Sequence, residues 1–378
     1  MQHCCMEIIL NFGARLRGLI LKVIWKPREI SGCSFYRVLE PAKWLLHHPE
    51  VTDSVFDNLN TESPIPGSIL VVLRANKPEE YEEIIAWQNA GAKVVYDLDD
   101  DIFTVPEWTS PPIYRYWSNP DHIQGAIRCM RQANAITCST EPLRKVLSQF
   151  NEIVYVLPNR INPDHFIPKT PVEREHIVIG WMGSSTHYCD LMSIYDALHA
   201  IVKARPRIIL RFLGYCPEPL RPLVQYFTNG DLSFFTLKEY PSRLRELDFD
   251  IGICPLWNHP FNRCKSPIKY LEFGAMSVPV VASRGPVFGF IQEGKDGFLA
   301  KTTSEWVDKL IALVDSVALR RQIGQAALRR VHRDFHIRED SQQRISFYQQ
   351  IRAVSNLPLA TSSPYRPDFS KEEIWKIH

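Results

Sequence analysis

The sequence predicts two doubly wound α/β domains, each a parallel sheet with helices on both faces. Three observations point there. Short apolar runs alternate with amphipathic stretches over nearly the whole length, the pattern of repeated βαβ units. That alternation fails once, between Leu157 and His176, where Pro158, Pro163, Pro168 and Pro171 fall among polar residues, and then restarts. The chain has 378 residues, more than one ordinary core accommodates.

In the first half the apolar runs that read as buried strands are Leu19 to Trp25, Ser68 to Leu73, Lys93 to Tyr96, Ala135 to Cys138 and Ile153 to Leu157. Helical spacing fits Phe35 to His47, Pro78 to Asn89 and Pro120 to Ala133, the second of these stopping at Ala90-Gly91. After the break, strands are expected at Ile177 to Trp181, Arg207 to Leu213, Leu232 to Phe235, Phe249 to Pro255 and Val278 to Ala282. Trp306 to Val314, Ala318 to Arg330 and Glu339 to Val354 are amphipathic and rich in good helix formers. The Asn356 to Asp368 tail is proline- and serine-rich and reads as loop. The boundaries that follow are 1–160 for the first domain, 161–176 for the linker, 177–334 for the second domain and 335–378 for a last helix and tail.

A formal net charge of +2 with 45% hydrophobic residues describes a globular chain without the basic excess of a nucleic-acid binder, so no nucleic-acid partner is indicated. Nine cysteines, scattered and without a Cys-x-x-Cys pair, suggest neither a disulfide framework nor a zinc site. A reducing, cytoplasmic compartment is the simplest reading. No run is long enough to cross a bilayer and no signal-peptide pattern opens the chain. The Met6 to Trp25 stretch mixes apolar residues with Arg15, Arg17, Lys22 and Lys26; it suits a helix leading into the first strand, or peripheral contact with an anionic membrane face.

The most informative segment is Asn262-Arg263-Cys264-Lys265-Ser266-Pro267-Ile268-Lys269-Tyr270-Leu271-Glu272. Ser266 reads as an N-cap and Pro267 as a residue of the first helical turn. Lys265 and Lys269 then sit at the positive end of the helix dipole, which favours acids over bases. A phosphate there would relieve the repulsion and accept hydrogen bonds from the free backbone N–H groups and both ammonium groups. Glu272 lies one turn beyond Lys269, roughly 7 to 8 Å in from the helix start, about the distance from a diphosphate to its ribose. The same spacing also suits an ordinary lysine–glutamate pair on a surface helix.

Three further clusters stand at predicted strand ends, where open α/β sheets place ligands. Asp97, Asp99, Asp100 and Asp101 crowd four carboxylates into five residues, so a partner or a raised pKa is expected for at least one. They suit a metal ion, a base for an acceptor hydroxyl, a set of sugar contacts, or simple loop caps. Gly183, Ser184 and Ser185 let backbone approach a phosphate, or make an ordinary turn; His187 beside them reads as a helix-start residue. Arg37, in the first turn of a predicted helix, calls for an anionic ligand or an acidic neighbour. Between these, the Thr104 to Trp117 loop carries Trp108, Tyr114, Tyr116 and Trp117, rings suited either to sugar faces or to covering the sheet edge.

Together these residues resemble the GT-B-fold glycosyltransferases, in particular the group called family 4 or group 1. The resemblance spans roughly residues 19 to 350 and is specific in the second domain. There it runs through Asp250 to Leu256, Lys265-Ser266 with Lys269 and Glu272, Pro279 to Ser283, and Gly294-Lys295-Asp296-Gly297-Phe298-Leu299. It implies two Rossmann-like domains across a cleft, a nucleotide-sugar donor held by the second, a glycan or lipid-linked acceptor held by the first, and a last helix that crosses back. It further implies that Gly183, Ser184, Lys265, Ser266, Lys269 and Glu272 bind the donor, with Glu272 on its ribose. The resemblance also implies catalytic roles for Asp99 or Asp100, at the place of the family's first-domain histidine, and for Lys269, which with Lys265 and the helix start stabilises the departing diphosphate; it implies too that transfer retains configuration and that neither cofactor nor metal is needed. The family's first motif glutamate falls on Cys264, a departure that bears on direct sugar recognition there, although a Lys-Ser-x-x-Lys-x-x-Glu variant is familiar among bacterial surface-polysaccharide transferases.

Two other readings stay open. Asp97-Leu98-Asp99 matches the Asp-x-Asp of haloacid-dehalogenase-type phosphohydrolases, one aspartate as nucleophile and the other as general acid. A non-catalytic nucleotide- or sugar-binding protein of the same fold is the third, with Cys264 as its mark.

Overall fold

The computed structural model describes residues 21–28, 31–57, 62–228 and 239–353. The Met6 to Trp25 stretch for the most part, the Leu232 to Phe235 strand and the Asn356 to Asp368 tail lie outside these.

Two six-stranded sheets form, and every strand pair in both is parallel. The first has the order β2-β1-β3-β4-β5-β6, from β1 (Leu21–Pro27), β2 (Val51–Phe56), β3 (Ile69–Leu73), β4 (Lys93–Leu98), β5 (Ala135–Cys138) and β6 (Val154–Val156). The second has the order β12-β11-β10-β7-β8-β9, from β7 (Ile177–Met182), β8 (Ile208–Gly214), β9 (Val224–Thr228), β10 (Ile251–Cys254), β11 (Val280–Ser283) and β12 (Phe298–Ala300). Each order reverses once, between β1 and β3 and between β7 and β10. Those reversals open a crevice at the strand C-termini.

The apolar runs explain why both sheets are covered twice. In β3 and β4, Leu70, Val72, Val94 and Tyr96 enter one core while Ile69, Val71 and Val95 enter another on the opposite face. Parallel strands buried on both faces read as continuous rather than alternating runs. In β10, Gly252 is required by packing: a Cβ there would lie 2.6 Å from the Phe273 ring, so the small residue seats the Ile268–Ala275 helix against the sheet.

Three strands escaped the sequence reading. β2 is an edge strand, Val-Thr-Asp-Ser-Val-Phe, whose polar centre breaks the apolar signal; β9, Val-Gln-Tyr-Phe-Thr, is the edge strand of the second sheet and follows directly on a proline-containing turn; β12 is three residues long. A further difference concerns the 104–117 loop, whose second half is the Pro111–Trp117 helix.

The first helix starts at Gly32–Ser34, where Ser31 and Ser34 cap each other, passes through a π-turn at Phe35–Leu39 and continues over Glu40–Leu46. Its π-turn buries Tyr36 and Arg37 together. At the other end of the chain the Ile337–Ala353 helix packs Ile345, Phe347, Tyr348 and Ile351 into the core beneath β1 and β3. Burying each such side chain is worth roughly 1.5–3 kcal/mol, so the helix is part of the first domain's core.

Candidate active site

A cavity of about 610 Å³ lies between the strand C-termini of the two sheets. Its second-domain wall carries Gly183, Ser184, His187, Lys265, Ser266, Lys269 and Glu272; its first-domain wall carries Arg28, Cys33, Arg74, Asp99, Asp100, Tyr116 and Trp117.

On the second-domain wall the helix that holds Lys269 and Glu272 spans Ile268–Ala275 with Pro267 as N-cap and no side-chain cap. Ser266 is therefore not the cap expected. Its Oγ instead accepts a hydrogen bond from Asn159 Nδ2 at 2.9 Å, while Asn159 Oδ1 accepts from Arg37 at 3.0 Å, a link across the two domains. Gly183 admits the lysine, since a Cβ there would meet the Trp181 ring at 2.7 Å and Lys269 Cε at 3.1 Å.

Three titratable groups on this wall are displaced from their ordinary values. Burial and the neighbouring Lys265 lower Lys269 to about 8. Burial raises Glu272 to about 7, even though hydrogen bonds from Tyr36 and Tyr240 and the charge of Lys269 favour its ionised form. Tyr36 reaches Glu272 from the first domain, so this carboxylate is shared across the cleft. His187 falls to about 4, through burial and then Lys269. It is more than a helix-start residue: its Nε2 lies 2.8 Å from Lys269 Nζ and its Nδ1 2.5 Å from Asp190 Oδ2.

The first-domain wall is held by guanidinium groups. Arg74 donates to Asp99 Oδ1 from Nε at 3.1 Å and from Nη2 at 2.6 Å, and Nη2 also reaches Asp100 at 3.2 Å and Cys33 Sγ at 3.0 Å. Cys33, Asp99 and Asp100 bring their ligand atoms within 4.8 Å of one another, and the guanidinium occupies the place a cation would take. Lys265 Nζ reaches Asp100 from the other wall at 3.4 Å. Burial raises Asp100, but Lys265 and Arg74 outweigh it and leave the carboxyl below its ordinary range.

Asp97 and Asp101 do not reach the cavity. Asp97 is fully buried and clamped by Arg37 (Nε to Oδ1 at 2.8 Å, Nη2 to Oδ2 at 2.6 Å) and by Thr137 Oγ1 at 2.6 Å. Arg37 thus finds an acidic neighbour, and a phosphohydrolase nucleophile at Asp97 is overturned because no substrate atom can approach it. Asp101 caps its own loop, accepting from Phe103 N at 3.0 Å and Thr104 Oγ1 at 2.6 Å; burial pushes its carboxyl up.

Cys264 also faces away. It packs in the first domain's core, and Thr140 Oγ1 donates to its carbonyl at 2.8 Å. Its side chain makes an interdomain contact where the resemblance led one to expect a sugar contact.

The rings of the 104–117 segment divide. Tyr116 and Trp117 line the cavity, with the Arg28 guanidinium 4.3 Å above Tyr116; Trp108 and Tyr114 line a neighbouring hollow with His259 and Pro260.

Two doubly wound parallel-sheet domains facing one cleft define the GT-B fold, and the resemblance read from the sequence stands at that level. No protein-family model matches the chain. It is similar to TuaH of Bacillus subtilis, described as a teichuronic acid biosynthesis glycosyltransferase, with 28% identity over 183 residues, 42% of this chain and 43% of that protein. The match therefore spans less than half of the curated relative's length. Among solved structures it is similar to the sucrose-phosphate synthase of Thermosynechococcus elongatus, with TM-score 0.60 at 14% identity over 88% of this chain and 100% of that one. It is also similar to Anabaena HepE solved with UDP and glucose, with TM-score 0.59 at 12% identity over 87% and 100%.

Proposed function

We propose that this protein is a retaining glycosyltransferase that moves a sugar from a nucleoside-diphosphate donor to a hydroxyl of a glycan or lipid-linked acceptor. The observation that carries the reading is the convergence of Lys265, Lys269 and Glu272 on one cavity beside the Gly183 turn. Two ammonium groups at a helix start suit a diphosphate, and preorganised charge of this kind stabilises a departing phosphate. Glu272 is one helical turn deeper, where a carboxylate accepts ribose hydroxyls once Tyr36 gives up its own hydrogen bond to it. HepE, of the same fold, is solved with UDP and glucose, which puts UDP first among the donors to try.

Asp99 and Asp100 are the carboxylates of the first-domain wall, and both are engaged by Arg74. Their role in this reading is to hold Arg74 and Lys265 in place around the reacting centre. With neither set to remove the acceptor's proton, the departing phosphate is the natural proton acceptor, which supports retention. No resident cofactor is assigned. No helix among the described residues is long and apolar enough to cross a membrane, and peripheral contact enters the reading only with a lipid-linked acceptor.

Isothermal titration of UDP, GDP, ADP, CDP and dTDP against wild type and Glu272→Ala tests the proposal. Selective binding that weakens in the variant is expected. Absence of binding by all five removes its main support.

A further inference from the structure

His187 and Asp190 lie beside Lys269 with no part in the scheme so far. Both are buried. Asp190 is fixed on its far side, Oδ1 accepting from Trp257 N at 2.7 Å and from Asn262 Nδ2 at 2.7 Å, while Oδ2 faces His187 Nδ1 at 2.5 Å. An ammonium has three donors and no lone pair, so the ring nitrogen 2.8 Å from Lys269 Nζ must be the acceptor. The ring proton then sits on Nδ1, directed at Asp190, and contacts on both sides set one tautomer. Trp181 closes the space behind, its ring 5.9 Å from both the ammonium and the imidazole.

We infer that His187 and Asp190 are positioning residues for Lys269: a carboxylate-anchored neutral imidazole accepts a hydrogen bond from the ammonium and keeps it protonated and aimed at the cavity. The inference rests on reading the cavity as a diphosphate site. A carboxylate in direct contact would neutralise the lysine and compete with the diphosphate; a neutral acceptor fixes the group and leaves its charge available. The charged and titratable neighbours agree. Lys269 faces Lys265, Cys254, Asp190 and Glu272 besides the ring, and His187 faces Lys269, Lys265, Asp190 and Asp100. Burial and two lysines keep the imidazole neutral at pH 7, as its acceptor role demands.

Two substitutions separate the ring nitrogens. Glutamine carries its amide oxygen near the Nε2 position and can still accept from Lys269; asparagine reaches only the Nδ1 position and keeps only the Asp190 side. The readout is UDP binding by the full chain across pH 6 to 9, with uridine as the phosphate-free control. A hydrogen bond to the charged form favours it, so its loss in His187→Asn is expected to move the alkaline limb of UDP binding down by about one pH unit, with about fivefold weaker binding at pH 8. Uridine binding is expected to hold, and His187→Gln to stay within about threefold of wild type. An unmoved limb in His187→Asn overturns the inference. So does equal loss of UDP and uridine binding in both variants, which would make the ring a structural prop. Nitrogen-15 NMR of the imidazole needs no ligand: Nδ1 protonated and Nε2 bare down to about pH 5 is expected, and an Nε2-protonated tautomer overturns it. If wild type binds no nucleoside diphosphate, the donor reading fails, and the NMR result still decides whether His187 accepts from Lys269.

Discussion

The two walls of the cleft hold their charges by different means. On the first-domain side guanidinium groups grip the acids, Asp99 and Asp100 at the wall by Arg74 and Asp97 behind it by Arg37. On the second-domain side the lysines rest on weaker partners, Lys269 on a neutral imidazole and Lys265 on a 3.4 Å contact with Asp100 and the face of the Phe261 ring, and Glu272 rests on tyrosine hydroxyls. Guanidinium–carboxylate pairs held by two charge-assisted hydrogen bonds are geometrically set and hard to exchange, whereas a ligand can replace a hydroxyl or an imidazole. One wall is finished by the fold, and the other is left for the substrate to finish.

Substitutions can break that contrast from either side. The largest effect is expected from Asp97→Ala, which strands Arg37 with an uncompensated buried charge; a loss of about 3–5 kcal/mol in stability is expected, read by urea unfolding. Nucleoside-diphosphate affinity of the folded fraction should not change. Lys269→Ala should do the reverse, costing about a hundredfold or more in turnover with an unaltered circular dichroism spectrum and melting transition. Wild-type rates in that variant would place the phosphates elsewhere.

Glu272→Ala should weaken nucleotide binding by about tenfold, the loss of hydrogen bonds to a charged acceptor. Wild-type affinity should rise with pH as Glu272 ionises near about 7 and fall as Lys269 loses its proton near about 8, a narrow bell whose acid limb disappears in Glu272→Gln. The linkage has a definite sign. Glu272 is raised above its unfolded value, so between about 4.5 and 7 the native state binds more protons than the unfolded one, and this group makes stability fall as pH rises through that window. The smallest effect is expected from Tyr36→Phe. Freed of a competing donor, Glu272 should bind nucleotide up to about fivefold more tightly at pH 8. Weaker binding there would mean that Tyr36 itself contacts the ligand.

Much of the second wall was legible because its residues lie close together in sequence: Lys265, Lys269 and Glu272 share one helix start, and the dipole argument needs nothing else. The capping detail failed for a tertiary reason, since Asn159, 107 residues away, takes the Ser266 hydroxyl. Tyr36 was invisible as a partner of Glu272 across 236 residues, as was Arg74 as the group that neutralises the acidic strand end. A signal for His187 was present: His and Asp at i and i+3 after a Gly-Ser-Ser strand end suit a held imidazole. Arg74 carried a fainter one, a cation just beyond β3 where such sheets bind ligands. Edge strand β2 was lost because Thr52, Asp53 and Ser54 interrupt its apolar run at the rim of the sheet, where periodicity carries least information.

The Ile337–Ala353 helix has a consequence for biosynthesis. It supplies Ile345, Tyr348 and Ile351 to the core that also holds Trp25 and Val38, residues made more than 300 positions earlier. A ribosome extending the chain from its N-terminus therefore releases the first sheet with one face only partly covered, by Val38, Ala42 and Leu45 of the first helix. The second sheet can close around its own helices while translation continues. The half of the protein made first is the last to be completed, and its unfinished face is the one a nascent-chain chaperone would meet.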